Sequence, residues 1–558
     1  MGSQRLRAID LYSGVGGWSC GLAMADLDVV ASFEHWPVAN KTNRHNNRHS
    51  TYTVDIRTLP VSQLPRNIDV VVGSPPCTEF SYSNRGGAGD LKDGLKDIVA
   101  FLGIVDFLRP RWWVMENVPR AADVVAKELG HRGKLARFRH LGVQSIVLNA
   151  EDYGLPQRRR RALIGNINFD LLKSYCGVLE SHTLGDVIAG LGSSPAVDPH
   201  YGLSCERSAL IDHDIEAFLD DEEVRINEAA KAYHPIYNSM PFPDQLERAA
   251  RTVTATCTRV SRESIIVEDP DRKGAFRRLT VRERAALQGF PITYQFYGGT
   301  HAQKLKMVGN AMPPLLAYLV GNALKGTPKE RLSSPNLRVP TRPVVDPPKT
   351  CPDVVAKKFP PTRTFRFAIP NLHLKSGVRF ELANSHSCNR TDWAISFLFG
   401  SSVSIYRLSL DANAKADVLA SLPEERIDVV TPKLLCLSRY LGSCDITRMQ
   451  AVWSHRGPGG TRPFDLLDEL GRIAGELEGS LATCPAHILE GAIKVVLDRQ
   501  FGSKSEALTG VSKLLRHAPK VCAGILTGAT ANGELQQTAA QTKPAVLGVR
   551  KGVERGAA

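Results

Sequence analysis

Short apolar runs alternate with amphipathic stretches over roughly the first 165 residues of this 558-residue chain. "RLRAIDLY" (5–12) and "DVVASFE" (28–34) predict strands separated by a glycine loop and a helix over 17–26. "NIDVVVGS" (67–74) and "RWWVMEN" (111–117) predict two more strands, with a helix over 94–108 between them. Strands near 144–149 and 161–165 finish the series. Strand–helix alternation of this kind predicts an α/β domain: a mostly parallel, Rossmann-like sheet with helices on both faces. Such sheets bind ligands beyond the carboxyl ends of their strands.

Residues 166–250 are less regular, with "IDHDIEAFLDDEEV" (211–224) as one helical run. A strand is expected at "RTVTATCTR" (251–259) and a helix within "LTVRERAALQGFP" (279–291). "LKMVGNAMPPLLAYLVGNAL" (305–324) carries an apolar face suited to a helix entered through paired prolines. Prolines then recur between Pro328 and Pro361, the mark of a semi-rigid linker. Strand-like pieces fill 364–410 and helical pattern fills 411–518. The segment after about 530, rich in Ala, Gly, Gln and Lys, is expected to be disordered. No internal repeat is visible.

Length alone favours more than one domain. The 70 Lys and Arg against 57 Asp and Glu leave a charge of +13, which permits a polyanionic partner without requiring one. Eleven cysteines without CxxC pairs point to neither a zinc site nor a disulfide framework, and fit a reducing, cytoplasmic setting. "MGSQRLR" lacks the apolar length of a signal peptide, and no membrane contact is expected.

Candidate chemistry clusters at the strand ends. In "DLYSGVGGWS" (10–19) the glycines permit a tight turn and close approach of a ligand. Glu34, some twenty residues on, is placed to accept from ribose hydroxyls, and Asp55 to meet an adenine edge. With no Walker lysine, these describe a nucleoside pocket rather than a triphosphate site. Cys77 in "GSPPC" (73–77) follows two prolines that stiffen its loop. A lone cysteine there is more commonly a small apolar residue than a nucleophile; its neighbours decide. Glu116 in "ENV" (116–118) ends the next strand, and "QRRRR" (157–161) concentrates guanidinium groups on entry to another. His45 and His49 read as surface residues rather than metal ligands, and no metal is expected.

Taken together, these motifs resemble one family in their order, the DNA cytosine-5 methyltransferases, over roughly residues 5–325. "RRLTVRERAALQGFP" (277–291) and "GNAMPP" (309–314) match its closing elements. The resemblance implies an S-adenosylmethionine-dependent catalytic domain over 1–184 and 251–326 and a target-recognition region over 185–250. The linker then spans 327–363, an accessory α+β domain 364–529, and the tail 530–558. It assigns Cys77 as the nucleophile, Glu116 as the hydrogen-bond donor to the base, and Arg159 and Arg161 as orienting groups. Cofactor contacts would come from Tyr12, Ser13, Gly14, Gly16 and Gly17, then Glu34, His35 and Trp36. Asp55, Ile56, Pro75, Leu95, Asn310 and Ala311 complete that set, while Ser81, Asn117 and Gln157 would touch the target nucleotide.

The implied reaction adds a thiolate to C6 of a flipped cytosine, methylates C5, and leaves S-adenosylhomocysteine. Glu116 can donate near neutrality only if burial raises its pKa. The implied partner is double-stranded DNA, bound by a monomer, with a cognate restriction or defence component possible. A tRNA-directed enzyme and a DNA-binding regulator retaining the fold are the alternatives. Two departures stand out: Tyr12 replaces the usual phenylalanine, and Thr78 the common glutamine. The C-terminal third, 364–558, carries no motif of that family, and assistance in DNA binding, recruitment of a partner, or service as an accessory packing domain are its expected roles.

Overall fold

The computed structural model describes residues 5–76, 80, 91–232, 239–335, 362, 364–374, 378–387, 390–400, 404–446, 448–450, 461–502 and 505–541. Two compact units result: Met1–Asp220 with Phe242–Val355, and Asp221–Pro241 with Ala356–Ala558.

The first unit opens with β1 (Arg7–Leu11), α1 (Gly17–Met24), β2 (Asp28–Glu34), α2 (Pro37–Asn46), β3 (Ser50–Thr53) and β4 (Val70–Gly73). It continues with α3 (Leu91–Leu108), β5 (Trp112–Asn117), α4 (Pro119–Glu128), β6 (Gln144–Asn149), β7 (Arg160–Gly165), α5 (Phe169–Ser174) and α6 (Leu184–Gly192). A small ribbon, β8 (Ala196–Val197) with β9 (Ser204–Cys205), follows. After α7 (Asp221–Ala232), which groups with the second unit, come β10 (Ile266–Asp269), β11 (Arg272–Arg278), α8 (Val281–Leu287), α9 (His301–Asn310) and α10 (Pro314–Leu324).

Seven strands form one sheet in the order β3-β2-β1-β4-β5-β7-β6. Neighbours from β3 to β5 are parallel, whereas β7 runs antiparallel to both β5 and β6. The alternation expected of a sheet covered on both faces is visible in β4. Val70 and Val72 enter a core with Trp18, Leu22 and Leu316, while Val71 enters the opposite core with Phe33, Phe101 and Trp113. Helix α1 approaches α10 closely because a glycine faces it: a Cβ on Gly21 would lie 2.2 Å from the Pro314 carbonyl oxygen.

Three segments differ from the sequence reading. Residues 211–220 are not helical, and the helix begins at Asp221. There the polar side chains face buried partners instead: Asp212 meets Lys304 at 2.8 Å and Glu216 meets Arg278 at 2.6 Å. Residues 251–259 form no strand, since much of their hydrogen bonding goes to side chains: Val253 N–H donates to Gln157 Oε1 at 2.8 Å and its carbonyl accepts from Arg159 at 3.1 Å. The helix expected to be entered through paired prolines is found as α10, which follows Pro313 and starts at Pro314 where the missing donor costs nothing, after α9. The last helix, introduced below, continues to Gln541, with Leu535 buried, where disorder was expected from 530.

The second unit carries a four-stranded antiparallel sheet, β12 (Arg366–Leu374), β13 (Val378–Ser387), β14 (Arg390–Gly400) and β15 (Ile405–Leu408), paired in sequence order. Helices α11 (Ala412–Ala420), α12 (Glu424–Ser443), α13 (Pro463–Leu481), α14 (Ala486–Phe501), α15 (Val511–Arg516) and α16 (Ala518–Gln541) follow. Phe380 and Phe397 stack at 4.0 Å between ring centroids, and Gly524 of α16 lies so close that a Cβ there would stand 2.4 Å from the Phe380 ring. Among the described residues, no helix is long and apolar enough to cross a membrane.

Candidate active site

The ends of β1, β2, β4 and β5 and the turn after β3 converge on one rim of the large sheet, as parallel pairing requires. The beginning of β7 lies at the same rim because that strand runs the other way, pairing Asn117 with Ala162 and Glu116 with Leu163. Arg161, entering β7, therefore meets Glu116 near the end of β5.

After β1 the backbone turns sharply. Tyr12 has φ 52° and Gly14 φ 54°, both left-handed, and a Cβ on Gly14 would meet nothing within 4 Å. Glu34, buried at the end of β2, holds this loop: its Oε2 accepts from Gly14 N–H at 2.9 Å and its Oε1 from Trp36 N–H at 2.7 Å. His35 Nδ1 lies 3.1 Å from the same carboxylate, and that hydrogen bond raises the His35 pKa. A carboxylate offers about four lone-pair sites, so Glu34 retains capacity for further donors. Ser13 N–H donates to the Phe33 carbonyl, which locks the loop to β2.

A cavity of about 270 Å³ opens beside this loop, lined among others by Tyr12, His35, Asp55, Ile56, Pro76 and Asp97. Asp55 caps a short turn by accepting from Arg57 N–H at 2.9 Å. Leu95 is buried in the first turns of α3, next to the cavity-lining Gly94. Asn310 is exposed at the end of α9, and Ala311 is buried after it.

Cys77 and Ser81 lie outside the described residues, as does Thr78. The segment leading to Cys77 is nonetheless anchored at two points. Trp18 Nε1 donates to Ser74 Oγ at 3.0 Å, and Asn117 Nδ2 donates to the Pro75 carbonyl at 3.1 Å. Glu116, one residue earlier than Asn117, is buried and pairs with Arg161, Nε to Oε1, at 2.8 Å.

The arginine motif divides its labour. Arg161 faces Glu116, but Arg159 is buried with its guanidinium on the carbonyls of Val253, Gly309 and Ala311 at 3.0–3.2 Å. Gln157 has no exposed surface; it donates to the Leu287 carbonyl and Gln288 Oε1 and accepts from Val253 N–H. Both side chains are clamps holding the second half of the unit to the first. Contact of Gln157 with a nucleotide, and of Arg159 with a base, is not what their burial allows.

Asp10, Arg57 and Asp97 escaped the sequence reading. Asp10 is fully buried, accepts from Ser19 N–H and Oγ, and burial raises its pKa to about 7. Asp97 accepts from Arg57 at 2.8 and 2.7 Å through both oxygens. On a helix otherwise read as amphipathic, nothing but the four-residue spacing of Asp93 and Asp97 marked that face.

A family model described as C-5 cytosine-specific DNA methylase matches residues 6–326. The chain belongs to the C-5 cytosine-specific DNA methylases. It is 32% identical over 340 residues to the type II methyltransferase M1.HphI of Haemophilus parahaemolyticus, covering 57% of this chain and 86% of that protein. It is 28% identical to M.HindV of Haemophilus influenzae over 337 residues, covering 59% and 99% respectively. Among solved structures, the Dnmt2 methyltransferase of S. pombe is similar at 17% identity and TM-score 0.41, over 58% of this chain and 99% of that one. As a DNA cytosine-5 methyltransferase, the chain has DNA as its substrate, and its strand order is that of an α/β class I methyltransferase. The methylase match ends at residue 326, before the sheet and helices of residues 364–541.

Proposed function

We propose that this methylase transfers the methyl group of S-adenosylmethionine to C5 of a cytosine within a specific duplex sequence, through a covalent bond between Cys77 and C6 of the flipped base. The observation that carries this reading is the buried Glu116–Arg161 pair, at 2.8 Å, beside a proline turn tied to Asn117 and running into Cys77.

The residues around the 270 Å³ cavity fit S-adenosylmethionine. Glu34 has spare acceptor capacity for ribose hydroxyls, Asp55 and Ile56 face the cavity, and the open side of Gly14 admits a ligand against the backbone. When bound, the cofactor supplies an electrophilic methyl on a sulfonium. The protein must make C5 nucleophilic, since cytosine is a weak carbon nucleophile on its own. Addition of the Cys77 thiolate to C6 places electron density at C5. Glu116, in its protonated form, donates to N3 as negative charge enters the ring, and Arg161 orients both the carboxyl group and the base. After transfer, loss of the C5 proton to a base breaks the Cys77–C6 bond. Extruding the base from the duplex costs a few kcal/mol.

The names of the relatives, type II methyltransferases, support a role as the modification enzyme of a restriction–modification or defence system. A monomer acting on cytoplasmic, nucleoid DNA suits that role. The test is transfer of labelled methyl to duplex DNA and to tRNA, with bisulfite sequencing of the DNA product. Wild type should label DNA and be trapped covalently by 5-fluorocytosine, and Cys77→Ala should do neither. Transfer surviving in Cys77→Ala, or a preference for tRNA, would overturn the proposal.

A further inference from the structure

Tyr12 combines features that packing alone does not explain. Its φ of 52° lies in the left-handed region that side chains other than glycine rarely adopt, so something must hold it there. Its hydroxyl lies 3.1 Å from Asp97 Oδ1 and 3.3 Å from the Asp97 carbonyl oxygen, both buried. Burial, with the Asp97 charge second, pushes the phenol pKa well above its ordinary value, so the group remains a donor. Asp97 is fixed in turn by Arg57, whose Nε and Nη2 reach its two oxygens at 2.8 and 2.7 Å. This fork-on-carboxylate geometry sets the plane of the acceptor that Tyr12 meets. Arg57 also reaches Asp93 one turn earlier on α3, at 3.2 Å.

These contacts join three segments with separate places along the chain. Tyr12 belongs to the loop after β1; Arg57 directly follows Asp55 and Ile56; Asp97 lies two residues beyond Leu95. All three segments border the 270 Å³ cavity. The family's usual phenylalanine at position 12 has no hydroxyl with which to make this connection.

We infer that Tyr12, Asp97 and Arg57 form a latch that positions the cofactor cavity, making Tyr12 a positioning residue whose hydroxyl sets cofactor affinity rather than the rate of methyl transfer. The inference rests on the cavity being the S-adenosylmethionine site. Without the hydroxyl, Asp97 keeps Arg57 but no longer holds the left-handed loop, and the walls of the cavity need ordering when the cofactor binds.

Calorimetric titration of S-adenosylmethionine into the full-length protein, alongside steady-state kinetics and melting curves, tests this. Tyr12→Phe preserves ring and shape, and should weaken cofactor binding about tenfold, as loss of a hydrogen bond to a charged acceptor does. KM for the cofactor should rise in step, with kcat unchanged at saturation. Asp97→Asn should also weaken binding, and adding Tyr12→Phe to it should bring little further loss, since the two act through one contact. Tyr12→Phe binding as tightly as wild type, or losses that simply add, would overturn the latch. Should Asp97→Asn melt too low to titrate, Tyr12→Phe alone decides. Wild-type protein that binds no S-adenosylmethionine would instead refute the assignment of the cavity.

Discussion

Glu116 meets a cation in a buried setting. Its carboxylate is buried and its neighbour at 2.8 Å is the Arg161 guanidinium, itself nearly buried. Removing one member of such a pair strands the other charge, at a cost of about 3–5 kcal/mol, so truncation would confuse chemistry with folding. Glu116→Gln retains a hydrogen-bond acceptor for Arg161, so the pair is not broken outright, while it removes the carboxylate charge and the acid function. It should lower methyl transfer by roughly 10²–10⁴-fold in a single-turnover assay while the protein still folds. Asp10 offers a second test, in pH. Its ordinary value is 3.8 and burial lifts it to about 7, so between these values the folded protein holds a proton that the unfolded chain releases. Its contribution to stability is complete below about pH 4 and is lost as pH rises through 7. Asp10→Asn should therefore stabilise the protein at pH 8, on the order of a few kcal/mol, with the gain fading by pH 5 in urea titrations. His200 works in the opposite direction. Half-buried and lowered to about 3 by desolvation, it takes stability away as pH falls below 6.5.

At the scale of elements, the site depends on how closely helices approach and which way strands run. Gly17 and Gly21 on α1 leave no room for a methyl group: a Cβ on Gly17 would lie 1.9 Å from the Met312 carbonyl oxygen, just before α10, and one on Gly21 2.2 Å from that of Pro314. Gly17→Ala should destabilise by about 1–3 kcal/mol as overpacking, read from urea unfolding. It should also weaken cofactor binding, because Trp18 on α1 holds Ser74 in the segment that leads to the cavity-lining Pro76. The reversed β7 decides a larger matter. In a wholly parallel sheet, Arg161 at the start of a strand would lie at the rim opposite Glu116. The period-2 pattern that predicts a strand near 161–165 reads the same in either direction, so only pairing with β5 shows which rim the guanidinium reaches.

The whole molecule is two compact units, each with its own buried core, and α7 from the middle of the expected recognition region groups with the C-terminal one. Independent cores predict a urea unfolding curve with two steps rather than one. S-adenosylmethionine at a hundred times its Kd should shift only the step belonging to the first unit, by about 2.7 kcal/mol. A single transition, or a shift in both, would show the units to be energetically one.

Six of the seven strands of the large sheet were legible from residue order because local pattern carries that information, whereas β3, Ser50–Thr53, is polar and largely exposed and has no such signal. The motifs were legible too, since glycines, a carboxylate twenty residues on, a Pro-Pro-Cys sequence and an arginine cluster keep their spacing along the chain. What the chain order alone left open concerned partners distant in sequence. Gln157 and Arg159 looked like groups facing a ligand until folding gave them the carbonyls of Leu287, Val253 and Gly309. Residues 211–220 looked helical until buried arginine and lysine partners outweighed local propensity. Long-range hydrogen bonds and ion pairs have no signature in local periodicity, because both ends must be brought together before either has a role.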